Sequence, residues 1–474
     1  MKKNVEASHF VMIDEQYEFI EKVKKINNQK NLKTGKPVYC FTHTYGCQQN
    51  ENDTEKLNGL LIEMGYTLTD DKTSAEFILF NTCAVREHAE QKVFGNVGAL
   101  VHYKRRNPEL KIALCGCMMQ QKHIAEKLSG YKYIDLIFGT HSLDRFPQNM
   151  YKMLISKTKV IDTEERDTYP LENVPIRREG RLKAWVTVMS GCNNYCSYCV
   201  VPYVRGREHS RLPENVINEV KQLISEGYKE ITLLGQNVNS YCKDLDLDYD
   251  FSDLLRDIND LDGDFRLRFM TSHPKDATKK LFDTISECEK VCHHIHLPFQ
   301  SGSDRVLKLM NRKYTAKQYL DTINYAKEKI PDASFTSDVI VGFPTETEDD
   351  FEDTLKLVSE VTFNGLYTFI YSPRKNTPAA EMEGQISKED KSRRFQKLLD
   401  LQNKNAKNNN SKYIGEIVRV LVEDYTDETK CMMTGRTDNN IIVNFPADES
   451  VMHSYANIRI DRALNWAMFG IIEK

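Results

Sequence analysis

The chain has 474 residues, of which 40% are hydrophobic and 28% charged, and a net charge of −4. That is too long for one ordinary domain, so two to four are expected. It has no run of about 18 apolar residues, so no membrane span is expected, and no N-terminal apolar core of signal-peptide length. A cytoplasmic chain keeps its thiols reduced, so twelve cysteines point to metal binding or catalysis rather than disulfides. The slight acidity excludes uniform affinity for nucleic acid, but the basic residues cluster. Residues 391–412 carry seven Lys or Arg against one Asp, with further basic spots at 103–107 and 177–183. Each suits a solvated face, and together they permit local phosphate contact.

Residues 1–36 are polar, with a helix-like apolar pattern (Phe19, Ile20, Val23, Ile26), and read as an extension outside the core. From Pro37 strands and helices alternate. "PVYCFTHTYGC", "AEFILFNTC", "KIALCGC" and "IDLIFGT" are predicted strands; "NDTEKLNGLLIEMG", "VREHAEQKVFGNVGALVHYKRR" and "QQKHIAEKLSG" are predicted helices. Alternation of this kind implies a parallel sheet covered by helices, and this α/β domain is expected to span residues 37–155. A polar linker with two prolines, residues 156–177, follows.

Residues 178–410 repeat the strand–helix unit. Six strands are expected, at 183–189, 230–237, 265–272, 293–299, 333–343 and 366–372. Eight would close a barrel, so six predict an incomplete (β/α)6 one. Residues 411–474 alternate with period two between turn residues and predict a small all-β barrel.

The cysteines fall at the ends of these strands. Cys47, Cys83 and Cys117 each sit at the carboxyl end of a predicted strand, and such ends converge on one edge of a parallel sheet. Each is expected to precede a helix whose dipole favours the thiolate. The alternative is three unrelated buried cysteines. Cys115 rivals Cys117, since spacing alone does not separate them, whereas Cys40, inside a strand, reads as core. Cys192, Cys196 and Cys199 follow the first barrel strand, on the ligand-binding face. A structural zinc site closes with four ligands, and His209 is the only nearby candidate for a fourth. A [4Fe–4S] cluster instead has four irons; three cysteines hold three of them and leave one open for a substrate or cofactor.

"GCNNYCSYC" carries the C-x3-C-x2-C signature of the radical S-adenosylmethionine (SAM) superfamily. Together with "TYGCQQN", "NTCAVRE", "GCM", "VVPYVRGREHSR", "LGQNVNSY", "PFQSGSD" and "DVIVGFPTET", it resembles the methylthiotransferase family over residues 37–474. The nearest subgroup is the bacterial one that acts on N6-isopentenyladenosine in tRNA, and the terminal barrel resembles the RNA-binding TRAM domain.

The resemblance implies two [4Fe–4S] clusters. SAM would bind the open iron of the one on Cys192, Cys196 and Cys199 and give a carbon radical. An auxiliary cluster on Cys47, Cys83 and Cys117 would supply sulfur. A radical suits the target, since C2–H of adenine is barely acidic and a cofactor must carry that step. A second SAM would donate the methyl group to the sulfur. The protein itself would supply no catalytic side chain.

Residues at the barrel strand ends, Gly235, Gln236, Asn237, Gln300, Ser301, Val339 and Gly342, are expected to touch SAM or nucleotide; ordinary turn chemistry is the competing reading. Arg205, Arg207 and Arg211 are expected to reach phosphates or the SAM carboxylate. The acidic run at 345–353 reads as helix N-terminal chemistry, with Thr347 as cap. Phe445 and Trp466 are candidates for base stacking but read better as barrel core. The implied partners are a tRNA anticodon stem-loop, an electron donor such as flavodoxin or ferredoxin, and an iron–sulfur carrier protein, with the chain a cytoplasmic monomer. The alternatives are methylthiolation of threonylcarbamoyladenosine or of a ribosomal-protein aspartate, and a non-catalytic iron–sulfur RNA-binding protein.

Overall fold

The computed structural model describes residues 2–84, 87–167, 169–429 and 431–473. Two compact units are present. The first comprises Met1–Glu179 with Ser190–Asn193 and Val200–His209; the second comprises Gly180–Met189, Asn194–Cys199 and Ser210–Lys474.

The first unit runs α1 (Lys2–Thr34), β1 (Val38–Tyr45), α2 (Gln48–Glu63), β2 (Tyr66–Leu68), β3 (Phe77–Thr82), α3 (Glu87–Arg106), β4 (Lys111–Gly116), α4 (Cys117–Gln120), α5 (Lys122–Ser129), β5 (Leu136–Phe138), α6 (Phe146–Ile155) and β6 (Val160–Asp162). Its strands form one parallel sheet in the order β2-β1-β3-β4-β5-β6. Strand β3 is buried along its whole length. That is why its sequence is an apolar run and not an alternation.

Two expectations change here, and a third lies partly outside the described residues. The N-terminal segment is no extension: Ile20 and Val23 are buried in the core of the sheet, and Asn27 Nδ2 donates to the Met64 carbonyl at 2.9 Å. A narrow apolar stripe suffices because α1 covers a sheet face that would otherwise meet water. The segment read as a linker supplies strand β6, so the sheet continues past residue 155; at three residues, and flanked by charges, β6 has too little pattern to read. The predicted helix from Val85 is described only from Glu87, because Val85 and Arg86 lie outside the described residues.

The remaining elements are β7 (Lys183–Thr187), β8 (Met189–Ser190), α7 (Val201–Arg205), β9 (His209–Ser210), α8 (Pro213–Ser225), β10 (Glu230–Leu234), α9 (Phe251–Asn259), β11 (Arg266–Phe269), α10 (Lys279–Glu287), β12 (His294–His296), α11 (Asp304–Leu309), α12 (Ala316–Lys329), β13 (Ser334–Val341), α13 (Glu348–Val361), β14 (Gly365–Ile370) and α14 (Lys388–Ser411). In the second unit β7, β10 and β11 form one parallel sheet and β12, β13 and β14 another. A single bridge, Leu267 to Val291, links them. Strands β7 and β14 stay at the ends, as an incomplete six-stranded barrel requires. Ile231, Leu233, Leu267, Ile295, Val339 and Val341 pack outward on the helices. The alternate positions are polar: Glu230 holds Arg266 and Arg268 at 2.7 Å each.

The C-terminal strands β15 (Ile417–Tyr425), β16 (Met433–Thr437), β17 (Ile442–Phe445), β18 (Tyr455–Ala463) and β19 (Met468–Ile472) close a barrel in the order β15-β16-β17-β19-β18. Its β16–β17 turn caps the polar end of the larger barrel. Arg266 Nη1 and Arg268 Nη2 donate to the carbonyls of Arg436 at 3.0 Å and Thr437 at 2.7 Å. Thr347 caps α13 as expected, through a capping box with Asp350. The acidic run also has a second use, since Glu346 and Glu348 bind Arg394 and Arg393 of α14. Part of the basic helix is therefore spent inside the protein.

Candidate cysteine centres

In the first unit β1, β3 and β4 are adjacent and parallel, so their carboxyl ends line up. Cys47 is the N-cap of α2, Cys83 follows β3, and Cys117 opens α4. Cys47 is exposed, while Cys83 and Cys117 are buried. The Cys47 and Cys83 side chains are hydrogen-bonded, and this contact, with Arg205 and the Asn50 and Gln49 amides, brings the Cys47 thiol down to about 6 against burial. Cys117 behaves differently: burial pushes its thiol up, with Arg205 opposing. At Cys117, which opens the four-residue α4, burial outweighs the groups that would favour the thiolate.

Sequence reasoning missed the polar network behind these thiols. Arg205 Nε donates to Cys117 Sγ at 3.3 Å, and Nη2 binds Asp53 Oδ2 at 2.7 Å. Asn50 donates to Asn81 Oδ1 at 3.0 Å, and Asn81 returns a bond to the Asn50 carbonyl at 2.9 Å. Gly116 has φ +96°, and a Cβ there would lie 2.2 Å from Asn81 Oδ1. The legible signal was "QQNENDTEK", where a helix start is polar on every side and yet buried. Cys115 lies in the opposite, apolar face of β4 with Cys40, and burial pushes its thiol well up. Cys117, not Cys115, is the thiol that Asn50 and Arg205 reach.

The second set follows β7 and β8. Cys192 and Cys196 are buried and Cys199 half-buried. Gly191 has φ +83°, and its Cβ would fall 1.7 Å from the Arg207 carbonyl oxygen, so only glycine admits that approach. The Cys192 amide donates to Gly206 O at 3.2 Å, and Asn193 and Glu208 clamp each other through reciprocal bonds of 3.1 and 3.2 Å. The Cys196–Cys199 stretch is pinned by the end of α11: Ser197 Oγ donates to Leu309 O at 2.8 Å, and Asn311 Nδ2 to Tyr195 O at 2.9 Å. Arg312, also missed in the sequence, donates through Nη1 to Cys196 Sγ at 3.4 Å and through Nη2 to Pro298 O at 2.7 Å.

The other predicted residues divide. Arg205 is buried against Cys117 and Asp53. Arg211 is buried too, donating to Thr187 O at 2.8 Å and Glu219 at 2.7 Å. Each of the two is thus already paired with a carboxylate, Asp53 for Arg205 and Glu219 for Arg211. Arg207 is exposed. His209 Nε2 is engaged by Asp167 at 2.6 Å. Gly235, Gln236 and Asn237 follow β10; Asn237 Nδ2 donates to Asp276 at 2.8 Å, while its buried Oδ1 has no hydrogen-bond partner among the described residues. Gln300 adopts φ +66° and bridges Val339. The Ser301 hydroxyl lies 3.5 Å from that of Thr354, and the Gly342 amide donates to Glu346 at 2.8 Å. Phe445 is core, as expected, but Trp466 is 57% exposed.

Among the described residues no three His, Cys, Asp or Glu side chains converge closely enough for a single metal ion. A four-iron cube takes one thiolate at each of three separate corners. The three thiols of the first unit, with Arg205 donating to one sulfur, suit that group, and in the second unit Arg312 likewise donates to Cys196. The unsatisfied Asn237 oxygen is a ready acceptor at the strand ends where a cofactor would lie.

The chain matches the Radical SAM superfamily over residues 186–358, the uncharacterised protein family UPF0004 over residues 39–139 and the TRAM domain over residues 411–472. It is 49% identical to the tRNA-2-methylthio-N(6)-dimethylallyladenosine synthase of Acetivibrio thermocellus, covering 99% of this chain and 98% of the relative. It is 47% identical to the enzyme of the same name from Clostridium beijerinckii, over 95% and 99%. Among solved structures, the radical S-adenosylmethionine methyltransferase TsrM from Kitasatospora setae is similar in fold, with a TM-score of 0.55 at 13% identity over 73% of this chain and 75% of that one. With near-complete coverage at such identity, the chain belongs to the tRNA-2-methylthio-N(6)-dimethylallyladenosine synthase family of radical SAM enzymes.

Proposed function

We propose that this chain adds a methylthio group to C2 of N6-isopentenyladenosine at position 37 of tRNA anticodon loops. The observation that carries the reading is the near full-length identity to relatives of that name. The two cysteine triads, placed at strand ends, support it. Cys192, Cys196 and Cys199 would hold one [4Fe–4S] cluster, and Cys47, Cys83 and Cys117 the other. When bound, these clusters and SAM supply the radical and the sulfur, chemistry that no side chain here offers.

The protein's own part is to bind and orient. Arg205 and Arg312 fix one cysteine sulfur in each set and place positive charge beside it. Gly235, Gln236, Asn237, Gln300, Ser301, Val339 and Gly342 lie at the barrel strand ends where SAM would bind, with the Asn237 oxygen the best-supported contact. Arg207 is the one arginine of the three free to face substrate. The target base must leave its stack to expose C2, which a single-stranded loop makes easy. The chain would act in the cytoplasm as a monomer, with an electron donor such as flavodoxin or ferredoxin and an iron–sulfur carrier. No described helix is long and apolar enough to cross a membrane.

The test is mass spectrometry of tRNA nucleosides from cells lacking the chain. Loss of the methylthio group with the isopentenyl group kept is the expected result; an unchanged nucleoside overturns the reading. Anaerobically purified protein should hold about eight irons per chain.

A further inference from the structure

The turn between β18 and β19 is built outward. An apolar tryptophan at a barrel turn ordinarily folds inward, yet Trp466 is 57% exposed. It is not loose. Its ring meets Phe469 edge-on, at 5.8 Å and 86°. The Arg462 guanidinium lies 4.0 Å over the Phe469 ring, in register across the strand pair.

Helix α14 holds the turn from behind. Asn410 Nδ2 donates to Leu464 O at 2.8 Å, and Asn465 Nδ2 to Asn403 Oδ1 at 2.8 Å. Beside Asn403 on the same exposed stripe stand Lys404 and Lys407, neither in an ion pair among the described residues. The basic residues earlier in α14 behave otherwise, since Arg393, Arg394 and Lys397 are consumed by Glu346, Glu348 and Glu352. Two lysines of this helix that are in no ion pair among the described residues thus stand beside the turn that carries the tryptophan.

A fixed aromatic face with one side open, an arginine alongside and two unpaired lysines within a helical turn match an unpaired nucleotide: the base stacks and the adjoining phosphates meet the cations. A protein partner of opposite charge would not need the open ring, and a duplex offers no free base. We propose that Trp466, backed by Phe469 and Arg462, is a stacking platform for an unpaired RNA base, with Lys404 and Lys407 holding the flanking phosphates. This rests on the tRNA reading above and names the surface that serves it.

The test uses the full chain, a synthetic RNA hairpin with an unpaired loop, and a fully paired RNA duplex, with binding measured across a salt series. Trp466→Ala is expected to weaken hairpin binding by roughly tenfold or more with an unchanged salt slope, and to leave duplex binding alone; Trp466→Phe should keep most of the affinity. Lys404→Ala and Lys407→Ala should each lower the slope magnitude by about 0.7–0.9. All three side chains are exposed, so the four variants should fold, and circular dichroism checks this. Hairpin binding by folded Trp466→Ala equal to the unsubstituted chain, or equal weakening of hairpin and duplex, overturns the platform while leaving the tRNA reading intact. Failure of the unsubstituted chain to bind either RNA overturns both.

Discussion

Replacing Arg205 with Met should loosen α2 and α7 together. The Arg205–Asp53 pair is 2.7 Å long, with side-chain exposures of 5% and 9%, and the same guanidinium donates to Cys117 Sγ. Removing one member of a buried pair leaves the other as an uncompensated charge, at a cost of about 3–5 kcal/mol. Since about 1.4 kcal/mol is a factor of ten, amide exchange in peptides covering residues 48–63 and 201–205 should quicken by roughly two to three powers of ten. Exchange is the right assay because a chain of two units need not unfold in one step. Asp53→Asn should act similarly. The double variant should recover a coupling of about 2 kcal/mol or more, since no unpaired charge then remains. Exchange in Arg205→Met within about threefold of the unsubstituted chain would refute the claim that this pair organises the first triad.

Cys196→Ala should lose about half of the iron and with it SAM cleavage; unchanged iron would count against the assignment. Cys83→Ala should keep SAM cleavage but lose thiolation, read by nucleoside mass spectrometry. Arg312→Gln should make the midpoint potential of the centre on Cys196 more negative, because it removes positive charge and a donor from the sulfur; spectroelectrochemistry with an unmoved potential would discard the idea. Burial alone would raise the Glu230 carboxyl, but Arg268, Arg266 and Lys183 outweigh it and hold it at about 2. A depressed folded pKa stabilises above the unfolded value near 4.5, and that contribution, about 3 kcal/mol, is lost as pH falls toward 2. Thermal unfolding between pH 6 and 3 should therefore fall more steeply in the unsubstituted chain than in Glu230→Gln. Deleting residues 412–474 should lower stability as well as tRNA binding, since Arg266 and Arg268 lose the carbonyls of the β16–β17 turn; a truncated chain as stable as the full one would contradict this.

The sequence by itself determined the three-part architecture, the six barrel strands and the placing of cysteines at strand ends. These rest on signals local in the chain: apolar runs broken by turn residues, and thiols at strand ends. It could not show β2 or β6, which are three residues long and are strands only because a neighbour pairs with them. It misread α1, whose sparse apolar stripe counts as core only once a sheet face needs cover. Only the tertiary structure shows that the polar network reaches Cys117 and not Cys115, because that depends on which face of β4 meets it.

Tertiary structure also assigned the arginines. Three basic residues in one short stretch look alike in sequence, but Arg205 meets Asp53, Arg211 meets Glu219, and Arg207 meets solvent. Arg312 stands 113 positions from Cys199, and nothing short of the folded chain brings its charge to the neighbouring Cys196 sulfur. Local patterns carry the order of elements and the ligand types; the pairing of buried charges depends on long-range contacts, which only folding creates.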